Sequence, residues 1–297
     1  MHELVSIYIP TRNRSDLVQR AIESALAQRG VDVEVIVVDD GSSDATQAVL
    51  SEIEHRTSAL KVLRNDVPKG ASAARNRALW SASGMFITGL DDDDTLDPDH
   101  VRGLRAAFRP GLAFVCSSRL EISRHGAVPN TLDAGPITLD RMLHYNRVGN
   151  QVFTLTERLR EVGGFDESLP AFQDYDLWVR LLARYGDALK TSAITYEVRV
   201  DHDYGRISTS PERVLKALTI FRAKHAPWMS PRHERSMQLL EHKLAGRRLG
   251  LGSALRLAHR DNLAAVTSLY VNTNAPWVQR AYHALRRVER AARAGRR

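Results

Sequence analysis

The chain has 297 residues, 43% of them hydrophobic and 26% charged, with a formal net charge of +7. That length suits one large domain, or one domain with an appendage, and the composition excludes disordered, collagen-like and coiled-coil chains. No run approaches the roughly 18 to 20 apolar residues of a spanning helix, and the opening MHELVSIYIP lacks a charged n-region and a cleavage site, so neither a membrane span nor a signal peptide is expected.

Charge is unevenly spread. Residues 1–210 carry 24 Lys+Arg against 30 Asp+Glu, and residues 211–297 carry 18 against 5. The first region is therefore suited to metal or carboxylate chemistry, and the second to an anionic partner. The single cysteine, Cys116, lies in the apolar run LAFVCSS and is expected as a buried, inert thiol in a reducing compartment.

LVSIYIP (4–10) is a β-branched run ended by proline and predicts a buried strand. After it, Ser15 or Asp16 can cap a helix whose apolar face is Leu17, Val18, Ala21, Ile22, Ala25 and Leu26. VEVIVV (33–38), LKVLRN (60–65) and GMFITGL (84–90) predict three further strands, each followed by a helical pattern. This alternation implies a mostly parallel sheet with helices on both faces, in which ligands bind beyond the carboxyl ends of the strands. PTRN, DDGSSD and DDDD all fall at such ends. From about residue 112 the pattern loosens. LAFVCSS and RLEISR predict further strands, LDRMLHYN a short helix, VGGFDESLPAFQ a loop and DYDLWVRLLARYG an amphipathic helix. Beyond Pro211 the chain reads as helices broken near Pro227, Pro231, Gly250 to Gly252 and Pro276.

Four adjacent carboxylates in DDDD (91–94) repel one another unless solvent or a cation relieves them. The cluster serves either as a solvated loop that caps the next helix or as a site for a hard divalent ion; Asp91 and Asp93 share a side if the chain is extended there. DDGSSD (39–44) suits a turn with helix capping, or a strand-end acceptor for a nucleobase N–H. GASAARN (70–76) opens a helix with Arg75 one turn in, which suits a diphosphate as well as a salt-bridged surface arginine. In QDYDLWVRLL, Asp174 shares its helical face with Trp178, Leu181, Leu182 and Tyr185, whereas Asp176 shares its face with Arg180 and Arg184. Asp174 should point inward, as a cap or a functional base, and Asp176 toward solvent or an arginine.

Together VSIYIPTRNR, VEVIVVDDGSSDAT, GASAARNRAL, ITGLDDDDTLDPDH, VGGFDE and QDYDLWVRL resemble the inverting glycosyltransferases of family 2, over roughly residues 4 to 205. The resemblance implies a GT-A fold, an α/β architecture with a Rossmann-like, mostly parallel sheet. It implies a catalytic domain over 1–210 (nucleotide-sugar binding to about 110, acceptor side from 111 to 210) and leaves 211–297 as a basic helical region. By the same resemblance Pro10, Thr11, Arg12 and Asn13 line the nucleotide pocket, Asp40 bonds the base, and Asp39 supports the loop. Arg75 lies near the donor, Asp91 or Asp92 near the ribose, and Asp93, with Asp91, matches the metal-binding aspartates. Asp174 matches the catalytic base, although Gln173 stands where the family places a glutamate. His202 falls where some relatives place a histidine near the metal or diphosphate, and the plainer reading of it is a surface histidine.

The implied reaction transfers a sugar from a nucleotide-diphosphate sugar, with a UDP-sugar favoured, to a hydroxyl of a glycan or lipid-linked acceptor. It would use Mn2+ or Mg2+ and serve cell-surface polysaccharide or lipopolysaccharide assembly. The place is the cytoplasm or, through the basic helices, the inner face of an anionic membrane. A sugar-nucleotide nucleotidyltransferase should carry a glycine-rich phosphate loop after the first strand, where this chain has PTRNRSD. A non-catalytic nucleotide-sugar-binding protein would not need Asp174. Nucleic acid is not an expected partner, because the C-terminal arginines are interleaved with alanine and leucine rather than with aromatics.

Overall fold

Val5, Ile7, Tyr8 and Ile9 are all exposed by 1% or less, which places the first strand, β1 (Val5–Thr11), inside a sheet covered on both faces. In the computed structural model, which describes residues 3–124, 126–149, 151–200, 210–275 and 277, this strand begins an alternation. It runs through α1 (Ser15–Leu26), β2 (Val33–Asp39), α2 (Thr46–Arg56), β3 (Leu60–Arg64), α3 (Ala71–Ser81) and β4 (Phe86–Gly89). β1 pairs in parallel with β2 on one side and with β4 on the other, and β2 pairs in parallel with β3. α1 buries Val18, Ala21, Ile22 and Ala25, the face its spacing predicts. Its start differs from the sequence reading: Arg14 takes the N-cap position without a side-chain cap, and Ser15 and Asp16 lie inside the first turn.

The chain continues with β5 (Thr95–Leu96), α4 (His100–Ala107), β6 (Val115–Ser123), β7 (Gly126–Asn130), β8 (Gly135–Ile137), α5 (Leu139–His144), β9 (Thr154–Leu155), α6 (Thr156–Glu161), α7 (Gln173–Tyr185) and β10 (Ala188–Arg199). β9 adds antiparallel to β4 and completes the order β3-β2-β1-β4-β9. A second sheet has the order β5-β10-β6-β7, with β8 also on β10. One expectation changes here. LAFVCSS and RLEISR contribute to one strand, β6, rather than two. The second sheet is mixed: the tight β6–β7 hairpin must be antiparallel, while β6 and β10, joined by a long crossover, pair in parallel. Cys116 on β6 is 1% exposed, and burial pushes its thiol up to about 12, so it stays protonated and inert.

Asp176 is fully buried rather than turned toward solvent, and the arginine foreseen for it supplies its charge partner. Arg180 lies 2.8 Å away and also donates to the carbonyls of Val162 and Gly164, tying α7 to the glycine turn before it. Asp176→Ala would leave the guanidinium without its counter-charge, at a cost of about 3 to 5 kcal/mol. The expected result is a clearly lower Tm in a thermal melt, with unchanged nucleotide affinity in the folded fraction. A parent-like Tm would contradict it.

The chain folds into two compact units, one of Met1–Met142 with Asn146–Gly205 and another of Leu143–Tyr145 with Arg206–Arg297. The second contains α8 (Pro211–His225), a 3-10 turn (Ala226–Trp228), α9 (Pro231–Leu244), α10 (Leu251–Leu257) and α11 (Leu263–Asn274). Its breaks fall at Pro227, Pro231 and Gly250, as predicted. Leu239, Leu249, Ala254, Leu257 and Val266 form one of its hydrophobic clusters. Ser236 sits 2.9 Å from His144 Nδ1 and 3.1 Å from His259 Nε2, a buried polar knot with no sequence signal. Among the described residues no helix is long and apolar enough to cross a membrane. The predicted break at Pro276 and the arginine-rich end, 278–297, lie outside the described residues.

Candidate active site

Because β2, β1 and β4 are neighbours, the loops leaving their carboxyl ends meet. These are PTRN, DDGSSD and DDDD, the three clusters singled out in the sequence. From β1, Thr11 donates its hydroxyl to Asp92 Oδ2 (2.8 Å), and its carbonyl accepts from the Asp40 amide (2.9 Å). Asn13 adopts a left-handed conformation (φ 54°), and its Oδ1 accepts from the Ser43 amide (2.8 Å), joining the first loop to the second. The strand runs through Pro10, where the sequence reading ended it, to Thr11, and Arg12 is exposed.

Asp39 and Asp40 both face inward. Asp39 accepts from the Ser42 amide and from Arg64, at 2.9 and 3.0 Å. Asp40 accepts from Asn65 Nδ2 (2.7 Å) and from the amides of Lys69 (2.8 Å) and Gly70 (2.7 Å). It therefore holds the loop entering α3, and about one of its roughly four acceptor positions remains.

The acidic cluster is a turn, not the extended segment assumed from sequence: the Asp94 amide donates to the Asp91 carbonyl at 3.1 Å. The four carboxylates still divide in alternation. Asp92 and Asp94 are buried, whereas the side chains of Asp91 and Asp93 keep 23% and 16% exposure. Asp92 is bonded to Thr11 and to Arg14 (2.7 Å), and Arg14 also reaches Asp93 at 3.1 Å. Burial pushes the Asp92 carboxyl up to about 6 although Arg14 pulls it down. Burial, then the charges of Asp91 and Asp93, raise Asp94 well above the carboxylate range. Asp91 and Asp93, the two partly exposed acids, present hard oxygen donors of the kind a divalent ion takes, although Arg75 and Arg14 each occupy one of their oxygens.

Arg75 donates to Asp91 Oδ1 (2.9 Å) and lies 5.5 Å from the Phe165 ring centroid, while its buried Nε–H has no hydrogen-bond partner among the described residues. Asp174 stands in the first turn of α7, after Phe172 at the N-cap with φ 62° and no side-chain cap. Burial pushes Asp174 up to about 6, against the pull of the Tyr175 amide and of Arg75, and with a further push from Asp91. Asp174 and the acidic cluster are thus electrostatically joined through Arg75. His202 lies outside the described residues.

Sequence reasoning missed the supporting residues. Arg14 follows PTRN directly, and a cation at a strand end beside an acidic cluster was a usable signal. Asn76 had none: it accepts from the Phe165 amide (2.7 Å) and donates to the Phe165 carbonyl (2.8 Å) and to Glu167 (2.8 Å), pinning the GGFDE loop. Gly164 leaves room for this, since a Cβ there would meet Asn76 Oδ1 at 2.5 Å. Tyr196 receives the Asp91 amide at 3.2 Å, and Gln151 reaches Asp91 from after α5.

The sequence model described as "Glycosyl transferase family 2" matches residues 6–157. The chain is 35% identical over 221 residues to the "Putative colanic acid biosynthesis glycosyl transferase WcaA" of Escherichia coli (strain K12), covering 71% of this chain and 77% of that one. It is 30% identical over 201 residues to the Escherichia coli "UDP-Glc:alpha-D-GlcNAc-diphosphoundecaprenol beta-1,3-glucosyltransferase WfaP", covering 67% and 78%. Among solved structures it is similar to a mannosyltransferase from Pyrobaculum calidifontis in complex with GDP-Man and Mn2+, with a TM-score of 0.63 and 15% identity over 93% of this chain and 82% of that one. The fold is accordingly GT-A, and the chain belongs to glycosyl transferase family 2 and is a glycosyltransferase.

Proposed function

We propose that the enzyme moves a sugar from a nucleoside-diphosphate sugar, preferentially a UDP-sugar, to a hydroxyl of a glycan or lipid-linked acceptor, with inversion at the anomeric carbon. The observation that carries this reading is the meeting of three strand-end loops with Arg75 between Asp91 and Asp174. The nucleoside lies along Pro10, Thr11, Arg12, Asn13, Asp39 and Asp40. Asp91 or Asp92 takes the ribose, and Asp93, with Asp91, holds a divalent cation. A cation held there supplies countercharge to the departing diphosphate. Arg75 offers its unbonded Nε–H to the same anion.

Asp174 accepts the proton of the acceptor hydroxyl. As the new C–O bond forms on one face of the sugar, the bond to the diphosphate oxygen breaks on the other, and its electron pair leaves with the phosphate. No enzyme nucleophile is needed, so the configuration inverts. Proton NMR of the product of an α-linked donor tests this: a β-linked product is expected, and an α-linked product would contradict it.

WfaP's name specifies a GlcNAc-diphosphoundecaprenol acceptor, and WcaA's specifies colanic acid biosynthesis. Both names support a place for this chain in cell-surface polysaccharide assembly, at the inner face of the membrane. The second unit suits it: Leu251 and Leu255, one turn apart on α10, are 60% and 71% exposed, and Arg247, Arg248, Arg256 and Arg260 lie in the same stretch. Each arginine near an anionic surface adds about 1 kcal/mol. The full chain should sediment with liposomes rich in anionic lipid and be released by salt. Equal binding to neutral liposomes, or none at low salt, would reject this localisation.

A further inference from the structure

Gln151 belongs to none of the strand-end clusters, yet it reaches the centre of the site. Its Nε2 donates to Asp91 Oδ1 at 3.0 Å, and its Oε1 accepts the Tyr8 hydroxyl at 2.7 Å. The amide orientation is fixed by chemistry: an ionised carboxylate only accepts, so the NH2 must face Asp91 and the carbonyl must face Tyr8. Tyr8 is 1% exposed, and burial raises its pKa far above the ordinary value, so the phenol remains a proton donor. Gly89 stands beside Tyr8 in the β1–β4 register, and a Cβ there would lie 2.1 Å from Gln151 Oε1 and 2.4 Å from Tyr8 Cζ. The missing side chain is what lets the tyrosine and the glutamine meet.

The contacts close into a ring. Tyr8 packs edge-on against Phe165 (6.0 Å), Phe165 lies under Arg75, and Arg75 and Gln151 converge on the same oxygen of Asp91. Two donors on Oδ1 fix the carboxylate and leave Oδ2 with no hydrogen bond among the described residues.

We propose that Gln151, held by Tyr8 over Gly89, is a positioning residue that sets the Asp91 carboxylate for the donor's ribose or its cation. This rests on the donor role given to Asp91 above. The test titrates the nucleoside diphosphate that the unsubstituted protein binds most tightly, from UDP, GDP and dTDP with Mn2+. Its targets are Gln151→Leu, Asp91→Ala, the double variant Asp91→Ala/Gln151→Leu, and Tyr8→Phe/Gln151→Leu. Gln151→Leu should weaken nucleotide binding about tenfold or more, as loss of an outer partner of a ligating carboxylate does, and raise the donor KM while sparing the acceptor KM. In the Asp91→Ala background the same substitution should have no further effect. Tyr8→Phe/Gln151→Leu removes the hydroxyl that Gln151→Leu strands, so it should recover Tm but not nucleotide affinity. Recovery of both would show a merely structural role and overturn the proposal, as would an equal penalty with and without Asp91. A weakened Asp91→Ala beside an unaffected Gln151→Leu overturns this inference alone. Parent-like binding by Asp91→Ala overturns the donor reading and this inference with it.

Discussion

Asp174→Asn is expected to lower kcat by about a hundred- to ten-thousand-fold, the usual contribution of general base catalysis. The amide is nearly the same size, and its oxygen can still accept from the Tyr175 amide in the first turn of α7, so Tm should hold. Donor affinity should also hold, because the residue acts on the acceptor's proton. The pH profile of the unsubstituted enzyme reports the same group. Burial favours the neutral acid and raises Asp174 to about 6, and a base must be ionised to work. Activity should therefore be flat above neutrality and fall about tenfold per unit well below pH 6. An active Asn variant, lost nucleotide binding in calorimetry, or an acid limb near pH 4 would each contradict this role.

Asp93→Ala is expected to cost on the order of a hundredfold or more in turnover, since a cation's hold on a leaving diphosphate is worth several kcal/mol. Asp92 keeps its bonds to Thr11 and Arg14, so the loop should survive and the melt should stay near the parent's. Nucleotide binding in Mn2+ should weaken toward the level the parent shows in chelator. Full parent activity in excess chelator would remove the cation from the account, and with it this role for Asp93.

The parallel sheet was legible because buried strands leave unbroken β-branched runs and α1 shows its apolar face at helical spacing. The strand-end clusters were legible for a related reason: charged runs following such strands have few structural uses. Periodicity singled out Asp174, which stays partly exposed near Arg75, but gave no sign that Asp176 is the fully buried acid of the two. Its face pairs with Arg180, and only the tertiary fold shows that the arginine lies over the Val162–Gly164 turn rather than in solvent. The pairing of the second sheet was not legible because β6 and β10 are largely half-buried or exposed and carry no unbroken apolar run. Asn76, Tyr196 and Gln151 were invisible because each acts through hydrogen bonds that span 60 or more residues, and no local pattern marks such pairings.

The most direct measurement is release of nucleoside diphosphate from a panel of nucleotide sugars, in Mn2+, in Mg2+ and in chelator, by the unsubstituted protein, Asp93→Ala and Asp174→Asn. The account predicts release from at least one donor, dependent on the cation and lost in both variants, with nucleotide binding kept in Asp174→Asn and weakened in Asp93→Ala. Release that survives chelator and both substitutions, or none from any donor with cation present, would contradict it.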